Sequence, residues 1–151
     1  MRIIHTKNNI FDLPTSSQEA VCITTNGIIK RDGNAVMGAG IAKEANLRFH
    51  VSQELASHLR KNGNTPCLFS ATGLCQSKLI SFPTKEHWKD DSSLVLIELS
   101  AKRLVQLVNQ NNIKTCYLTP PGCGCGRLDW NTVQPILEKY FDDRFVIVFR
   151  D

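Results

Sequence analysis

The sequence predicts an α/β fold of three layers, with helices covering both faces of a mixed but largely parallel central sheet. Three observations point there. Short apolar runs alternate along the chain with longer segments of helical periodicity, the pattern of strand–helix–strand units. Several of these runs are apolar at every position, as strands covered on both faces must be. Glycine-rich bends follow two of the runs and lead into helices, where open α/β sheets form their ligand crevices.

The strand signals, taken in order, are "RIIH" (2–5), "AVCITT" (20–25), "CLFSA" (67–71), "KLISF" (78–82), "TCYLT" (115–119) and "RFVIVF" (144–149). Each is rich in β-branched or aromatic residues. The turn around Gln76 and Ser77, between two of these runs, predicts a hairpin and so some antiparallel pairing. Three helices fall between the strands. The first is read as continuous from Gly40 to Lys61, with Ile41, Ala45, Val51, Leu55 and Leu59 on its apolar face and Gly63 as its stop. The second runs from Ser93 to Asn109 with Ser92 or Ser93 as cap. The third begins at Asp129 or Thr132 and ends by Phe141; Pro135 fits best in a first turn, which favours the later start.

A length of 151 residues predicts one domain over 1–151 with a real core. No apolar run nears the roughly 20 residues that span a bilayer, and "MRIIHTKNNIFD" is too short and polar for a secretory signal. A cytoplasmic monomer without membrane contact is the expectation. Six cysteines fit that reading as reduced thiols, with Cys22 and Cys116 inside apolar strands. The net charge of +4 permits a polyanionic partner without requiring one.

Two glycine loops carry the chemistry. In "VMGAGIAKEA" (36–45), Gly38 and Gly40 immediately precede the first helix. A helix start offers unpaired N–H groups and the positive end of its dipole, and glycine lets an anion reach the main chain. Taken alone, a tight turn packed on the sheet explains the pattern equally well. The second loop, "TPPGCGCGRLDW" (119–130), follows another strand, with Gly122, Gly124 and Gly126 alternating with Cys123 and Cys125. Two such loops can close on one diphosphate. The spacing fits neither the dinucleotide fingerprint nor the triphosphate P-loop. A lone C-x-C lacks the second ligand pair of a structural zinc site, so no metal and no cofactor is expected.

The order "TTNG…VMGAGIA…SFPTKEHW…PPGCGCGRLDW" resembles the macro domain family, the ADP-ribose-binding fold, over nearly the whole chain. Within it, "FPTKEHW" is most similar to the branch of the DarG antitoxins and the terminal ADP-ribose protein glycohydrolases. The resemblance implies ADP-ribose, free or on a macromolecule, as partner. It places Asn26, after Thr25, at the distal ribose, Gly38, Ala39, Gly40 and Ile41 in the first phosphate loop, and Pro121, Gly122, Cys123, Gly124, Cys125 and Gly126 in the second. Asn9 and Ile10 match the adenine-binding pair, where many members carry aspartate; an asparagine carbonyl can still meet the adenine amino group.

By the same resemblance Lys85 is the catalytic residue. Its ammonium can stabilise or protonate a leaving group; alternatively a neutral amine, favoured by burial or neighbouring cations, attacks the anomeric carbon. The protein glycohydrolases of this branch carry an aspartate where Gly126 stands, and the DarG type has glycine. The expectation is therefore a hydrolase that removes ADP-ribose from a macromolecule, DNA or RNA ahead of protein. A non-catalytic ADP-ribose reader and a phosphatase or deacylase of small ADP-ribose derivatives are the alternatives. Trp88 reads first as packing its loop against the domain, with a stacking platform as the sharper option. His87 reads as a hydrogen-bonded surface histidine or an auxiliary proton carrier. Asp129 reads as a helix cap.

Overall fold

The computed structural model describes residues 1–70 and 77–151. Its strands are β1 (Arg2–Thr6), β2 (Glu19–Thr25), β3 (Lys78–Pro83), β4 (Thr115–Leu118) and β5 (Phe145–Arg150). They form one sheet in the order β1-β5-β4-β2-β3, and every neighbouring pair is parallel. The helices are α1 (Gly40–Phe49), α2 (Ser52–Asn62), α3 (Leu94–Gln110) and α4 (Trp130–Glu138).

Alternate residues of β2, β3, β4 and β5 enter different cores, which is why these strands are nearly apolar throughout, whereas β1 at the sheet edge is mostly exposed and packs Ile4 against one core. Val21 and Ile23 of β2 pack with Ala45, Leu55 and Leu59 of α1 and α2. Ala20 and Cys22 of the same strand pack with Ile97 and Leu104 of α3 and Val133 and Leu137 of α4. Phe82 of β3 is wholly enclosed in this second core, and burying one such side chain contributes about 1.5–3 kcal/mol. The result is the three-layer α/β/α arrangement.

Among the described residues antiparallel pairing is limited to two isolated bridges, Ile29 with Ala35 in the connection after β2 and Leu68 with Ile80 beside β3; the second bears on the expected hairpin. It is closed by Phe69 N–H to the Leu79 carbonyl and Ser81 N–H to the Cys67 carbonyl, both 2.9 Å. The expected strand 67–71 is thus a bridge and not a full strand over its described part. Ala71 and Gln76, with the tip of the expected hairpin, lie outside the described residues.

Two helix expectations are corrected. The segment Gly40 to Lys61 is two helices. His50 takes a left-handed conformation (φ +52°) and its N–H bonds the Asn46 carbonyl, ending α1. The Asn46 side chain then accepts from Ser52 N–H at 3.0 Å and starts α2, while Val51 is buried between them. The third helix takes the earlier start, not the Thr132 start that Pro135 favoured. Asp129 caps α4 by accepting from Asn131 N–H at 2.9 Å, and this places Val133 and Leu137 in the core. Pro135 then stands in the second turn, where it cannot donate to Asn131. Both residues are exposed, so solvent can satisfy that carbonyl. Ser93 caps α3 as expected, accepting from Leu96 N–H.

The connections set where a crevice opens. The chain leaves β2 for β3 through α1 and α2 on one face, and leaves β4 for β5 through α4 on the other. Since β2 and β4 are neighbours, their continuations diverge beyond the carboxyl ends of the sheet, the place where ligands bind in open α/β folds.

Candidate functional site

A cleft of about 1070 Å³ lies at this divergence. It is walled by the end of β2 at Thr24, Thr25 and Asn26, by the segment 36–42, by Thr84 and Lys85 after β3, by the loop after β4 and by Phe149 of β5.

The first wall is the start of α1. Ala39 is its N-cap and supplies no side-chain cap, so the first-turn amides lack intrahelical partners. Gly40 has φ +58°, which a side chain would strain. Gly38 differs: a Cβ built on it meets nothing within 4 Å. Packing therefore gives no reason for that glycine, and its main chain lies bare toward the cleft.

The second wall is folded tightly on itself. Leu128 N–H bonds the Gly122 carbonyl at 2.9 Å and Arg127 N–H the Gly124 carbonyl at 3.1 Å. Among the described residues the amides of Gly124, Cys125 and Gly126 carry no hydrogen bond. A Cβ on Gly126 would stand 2.5 Å from the Gly122 carbonyl oxygen and would overlap the Ser92 hydroxyl. The two loops face each other, since a Cβ on Gly40 would lie 3.8 Å from Cys125 Sγ. Burial, and then the Asp129 charge, push the Cys123 thiol up, which keeps it protonated and poorly nucleophilic.

Lys85 joins the two sides. Its Nζ donates to the Cys125 carbonyl at 3.1 Å and to the Trp88 carbonyl at 3.4 Å. An ammonium has three donors, so one is left for a ligand. The backbone beneath is clamped: Asn64 Nδ2 donates to the Lys85 carbonyl at 2.9 Å and to Glu86 Oε2 at 3.2 Å. Gly27 N–H bonds the Glu86 carbonyl, and a Cβ on Gly27 would stand 2.9 Å from Asn64 Nδ2. Thr25 Oγ1 and Ser92 Oγ, both on cleft-lining residues, are buried with no hydrogen-bond partner among the described residues.

The sequence-predicted residues divide into two groups. Thr25, Asn26, Gly38, Ala39, Gly40, Ile41, Lys85, Trp88, Gly122, Cys123, Gly124, Cys125 and Gly126 all line the cleft. Asn26 also braces the loop after β2, accepting from Ile28 N–H at 3.0 Å and donating to the Val36 carbonyl at 3.1 Å. Asn9, Ile10, Pro121 and His87 are not among its lining residues. The Asn9 side-chain oxygen Oδ1 accepts from Phe11 N–H and its Nδ2 donates to Glu44 of α1; Ile10 is in the core. Pro121 is buried beneath the second loop, and His87 Nδ1 accepts from Lys89 N–H. Trp88, expected to pack inward, is 49% exposed at the rim. Lys89, one of the cations the sequence offered as a neighbour of Lys85, also lines the cleft, and the sequence reading missed Asn64, Thr84, Ser92, Arg127 and Phe149 as site residues. Among the described residues no group of three His, Cys, Asp or Glu side chains is placed to hold a metal.

A parallel sheet with two glycine loops converging beyond its carboxyl ends is the architecture of a nucleotide-binding α/β module. The chain belongs to the macro domain family, whose profile matches residues 32–137. It is 30% identical over 135 residues to a DNA ADP-ribosyl glycohydrolase of Mycobacterium tuberculosis, covering 86% of this chain and 37% of that protein. The chain thus spans little more than a third of the curated relatives it first matches. Among solved structures it superposes on the macrodomain of Mycobacterium tuberculosis DarG with a TM-score of 0.73 at 27% identity, over 96% of both chains. The fold is shared with Thermosipho africanus DarTG in complex with ADP-ribose, at a TM-score of 0.78 and 24% identity, over 99% of this chain and 42% of that one.

Proposed function

We propose that the chain hydrolyses ADP-ribose from a macromolecule, with nucleic acid favoured over protein, and that Lys85 carries the reaction. The observation behind this reading is the Lys85 ammonium lodged between two loops whose free amides face one cleft. Those amides would hold the diphosphate, which sets the distal ribose toward Lys85. In the reaction the glycosidic bond of that ribose breaks, water adds at its anomeric carbon, and the leaving atom takes a proton from the Lys85 ammonium, which regains one from the water. Engagement with two carbonyl acceptors suits a donating cation better than an amine attacking with its lone pair.

Nucleic acid is favoured because position 126 has no room for a side chain, and the protein-acting branch carries an aspartate there. Relatives named as DNA ADP-ribosyl glycohydrolases support the same direction. Free thiols at Cys22, Cys67, Cys116, Cys123 and Cys125 fit a reducing cytoplasm.

The test uses oligonucleotides and peptides bearing ADP-ribose, with calorimetry on free ADP-ribose alongside. Release of ADP-ribose by wild type, at least about a hundredfold slower in Lys85→Ala, supports the hydrolase. No release over hours from any substrate would refute it. Failure to bind ADP-ribose at millimolar concentration would refute the reading of the cleft itself. A reader that binds without cleaving is the second reading; it is favoured by both partners of the Lys85 ammonium being main-chain carbonyls, which also suit a purely structural latch.

A further inference from the structure

We infer that Arg127 is a ligand-binding residue that changes partner when the cleft fills: its guanidinium leaves Asp91 and pairs with the diphosphate seated on the second glycine loop. This rests on the reading of the cleft as an ADP-ribose site and adds a charged side chain to its bare main chain. The first sign is the backbone. Among the described residues three non-glycine residues have positive φ: His50, Asn112 and Arg127. His50 ends α1 and Asn112 follows the cap of α3, where left-handed residues commonly stop helices. Arg127 stands at φ +64° and ends no helix. Glycine takes that conformation without strain, and the loop already has glycine at 122, 124 and 126. An arginine held there is held for its side chain.

Packing does not account for that side chain. It is 81% exposed, and its one ion pair among the described residues is with Asp91 Oδ1 at 3.9 Å. Asp91 is largely in solvent too, so the pair has little strength. The main chain beneath is fixed instead. Arg127 N–H bonds the Gly124 carbonyl at 3.1 Å, and Ser92 N–H, next to Asp91, bonds the Gly126 carbonyl at 2.9 Å. A loosely held cation on an anchored base is suited to exchanging partners. Arg127 lines the cleft directly after Gly124, Cys125 and Gly126, whose amides carry no hydrogen bond among the described residues. Those amides are uncharged. The Lys85 ammonium is engaged with the Trp88 and Cys125 carbonyls, and Lys89 Nζ lies against the Trp88 ring. A dianionic diphosphate on the second loop therefore gains a cation from that same loop when Arg127 turns to it. A guanidinium meets phosphate oxygens with paired N–H bonds, stronger than the exposed ion pair it gives up.

The experiment is calorimetry with ADP-ribose and with ADP, at low and high salt, alongside thermal melts. It compares wild type with Arg127→Gly, Arg127→Gln, Asp91→Asn and the double variant of Arg127→Gly with Asp91→Asn. Arg127→Gly should weaken ADP-ribose and ADP by the same factor, about tenfold or more at low salt. Its melting temperature should stay level or rise, because the left-handed backbone is relieved. Arg127→Gln keeps that backbone, loses the charge and should show the same loss of affinity. Asp91→Asn should tighten ADP-ribose about twofold or more at low salt, since the ligand no longer competes with a carboxylate; in the double variant that gain should vanish. Salt should shrink both effects. Wild-type affinity in Arg127→Gly or Arg127→Gln, a loss confined to ADP-ribose, or an Asp91→Asn gain that is absent or persists undiminished without Arg127 would overturn the inference. In each of those cases wild type still binds ADP-ribose; a wild type that does not bind it sinks the reading of the cleft instead.

Discussion

Lys85 and Cys125, forty residues apart, are joined by a 3.1 Å hydrogen bond from the lysine ammonium to the cysteine carbonyl. That bond ties the segment after β3 to the loop after β4 across the cleft. Lys85 is therefore both the proposed proton donor and a latch on the second glycine loop. The two roles separate by magnitude. An exposed hydrogen bond contributes about 0.5–1.5 kcal/mol, so loosening the latch in Lys85→Ala should weaken ADP-ribose binding by no more than about tenfold. Loss of a positioned acid should slow single-turnover release by about a hundredfold or more. Equal losses in both measurements would make Lys85 a latch and nothing further.

The glycines make a second prediction, because they are present for different reasons. At Gly126 a methyl group would overlap the Ser92 hydroxyl and press the Gly122 carbonyl oxygen. Gly126→Ala should cost about 1–3 kcal/mol by overpacking, a fall in melting temperature of at least about 3 °C for a chain of this size. At Gly38 a methyl group meets no protein atom. Gly38→Ala should leave melting within about 1 °C and weaken ADP-ribose binding at least about tenfold. Calorimetry and thermal melts on both variants check the contrast; a Gly38→Ala protein that binds normally would show that no ligand approaches that backbone.

The fold was readable in the sequence where one physical cause dominates. Strands such as "AVCITT" and "RFVIVF" are apolar on both faces because both faces are covered, and no other element produces so short an unbroken run. The glycine loops were readable because crowding at Gly126, a left-handed backbone at Gly40 and open main chain at Gly38 all leave the same mark in residue type. The break between α1 and α2 was not: it depends on His50 turning left-handed and on an Asn46 side chain reaching Ser52, which apolar spacing does not encode. Pro135 misled because its preference for a first turn yields to the Asp129 cap and the burial of Val133. Ser92 and Asn64 were missed for a spatial reason. Each matters through a loop 20 or more residues away, Ser92 beneath Gly126 and Asn64 beneath Lys85, and only the sheet brings those segments together.

Asn64 supports a third prediction. Its amide holds the Lys85 carbonyl at 2.9 Å, and its own Oδ1 is buried without a partner among the described residues. Asn64→Ala removes the clamp and should reduce kcat about tenfold with KM changed less than about threefold, since the two glycine loops are untouched. Asn64→Asp should be worse than alanine, because a carboxylate cannot donate to the Lys85 carbonyl and would face Glu86. Steady-state kinetics on the two variants check the order. A rise in KM with kcat unchanged would place Asn64 in ligand binding instead of in positioning Lys85.

The fourth prediction concerns pH and lies away from the cleft. His58 of α2 places Nε2 3.0 Å from the Thr65 carbonyl and 2.9 Å from its hydroxyl, while Nδ1 faces the Asn62 amide at 3.3 Å. A carbonyl partner requires Nε2 to carry the proton, and an amide N–H partner requires Nδ1 to accept. The neutral ring satisfies both; the protonated ring turns Nδ1 into a donor against a donor. Partial burial, with the Arg103 charge as a smaller cause, lowers the His58 pKa below its usual value of 6.5. The folded chain then binds fewer protons at this site than the unfolded chain, so stability rises with pH across the interval. The contribution is complete above about pH 6.5 and is lost as the pH falls through the lowered folded value. Urea midpoints measured from pH 7.5 to pH 5 should therefore drop more steeply in wild type than in His58→Gln. The two curves should converge toward the acid end, and parallel curves would remove His58 as the cause.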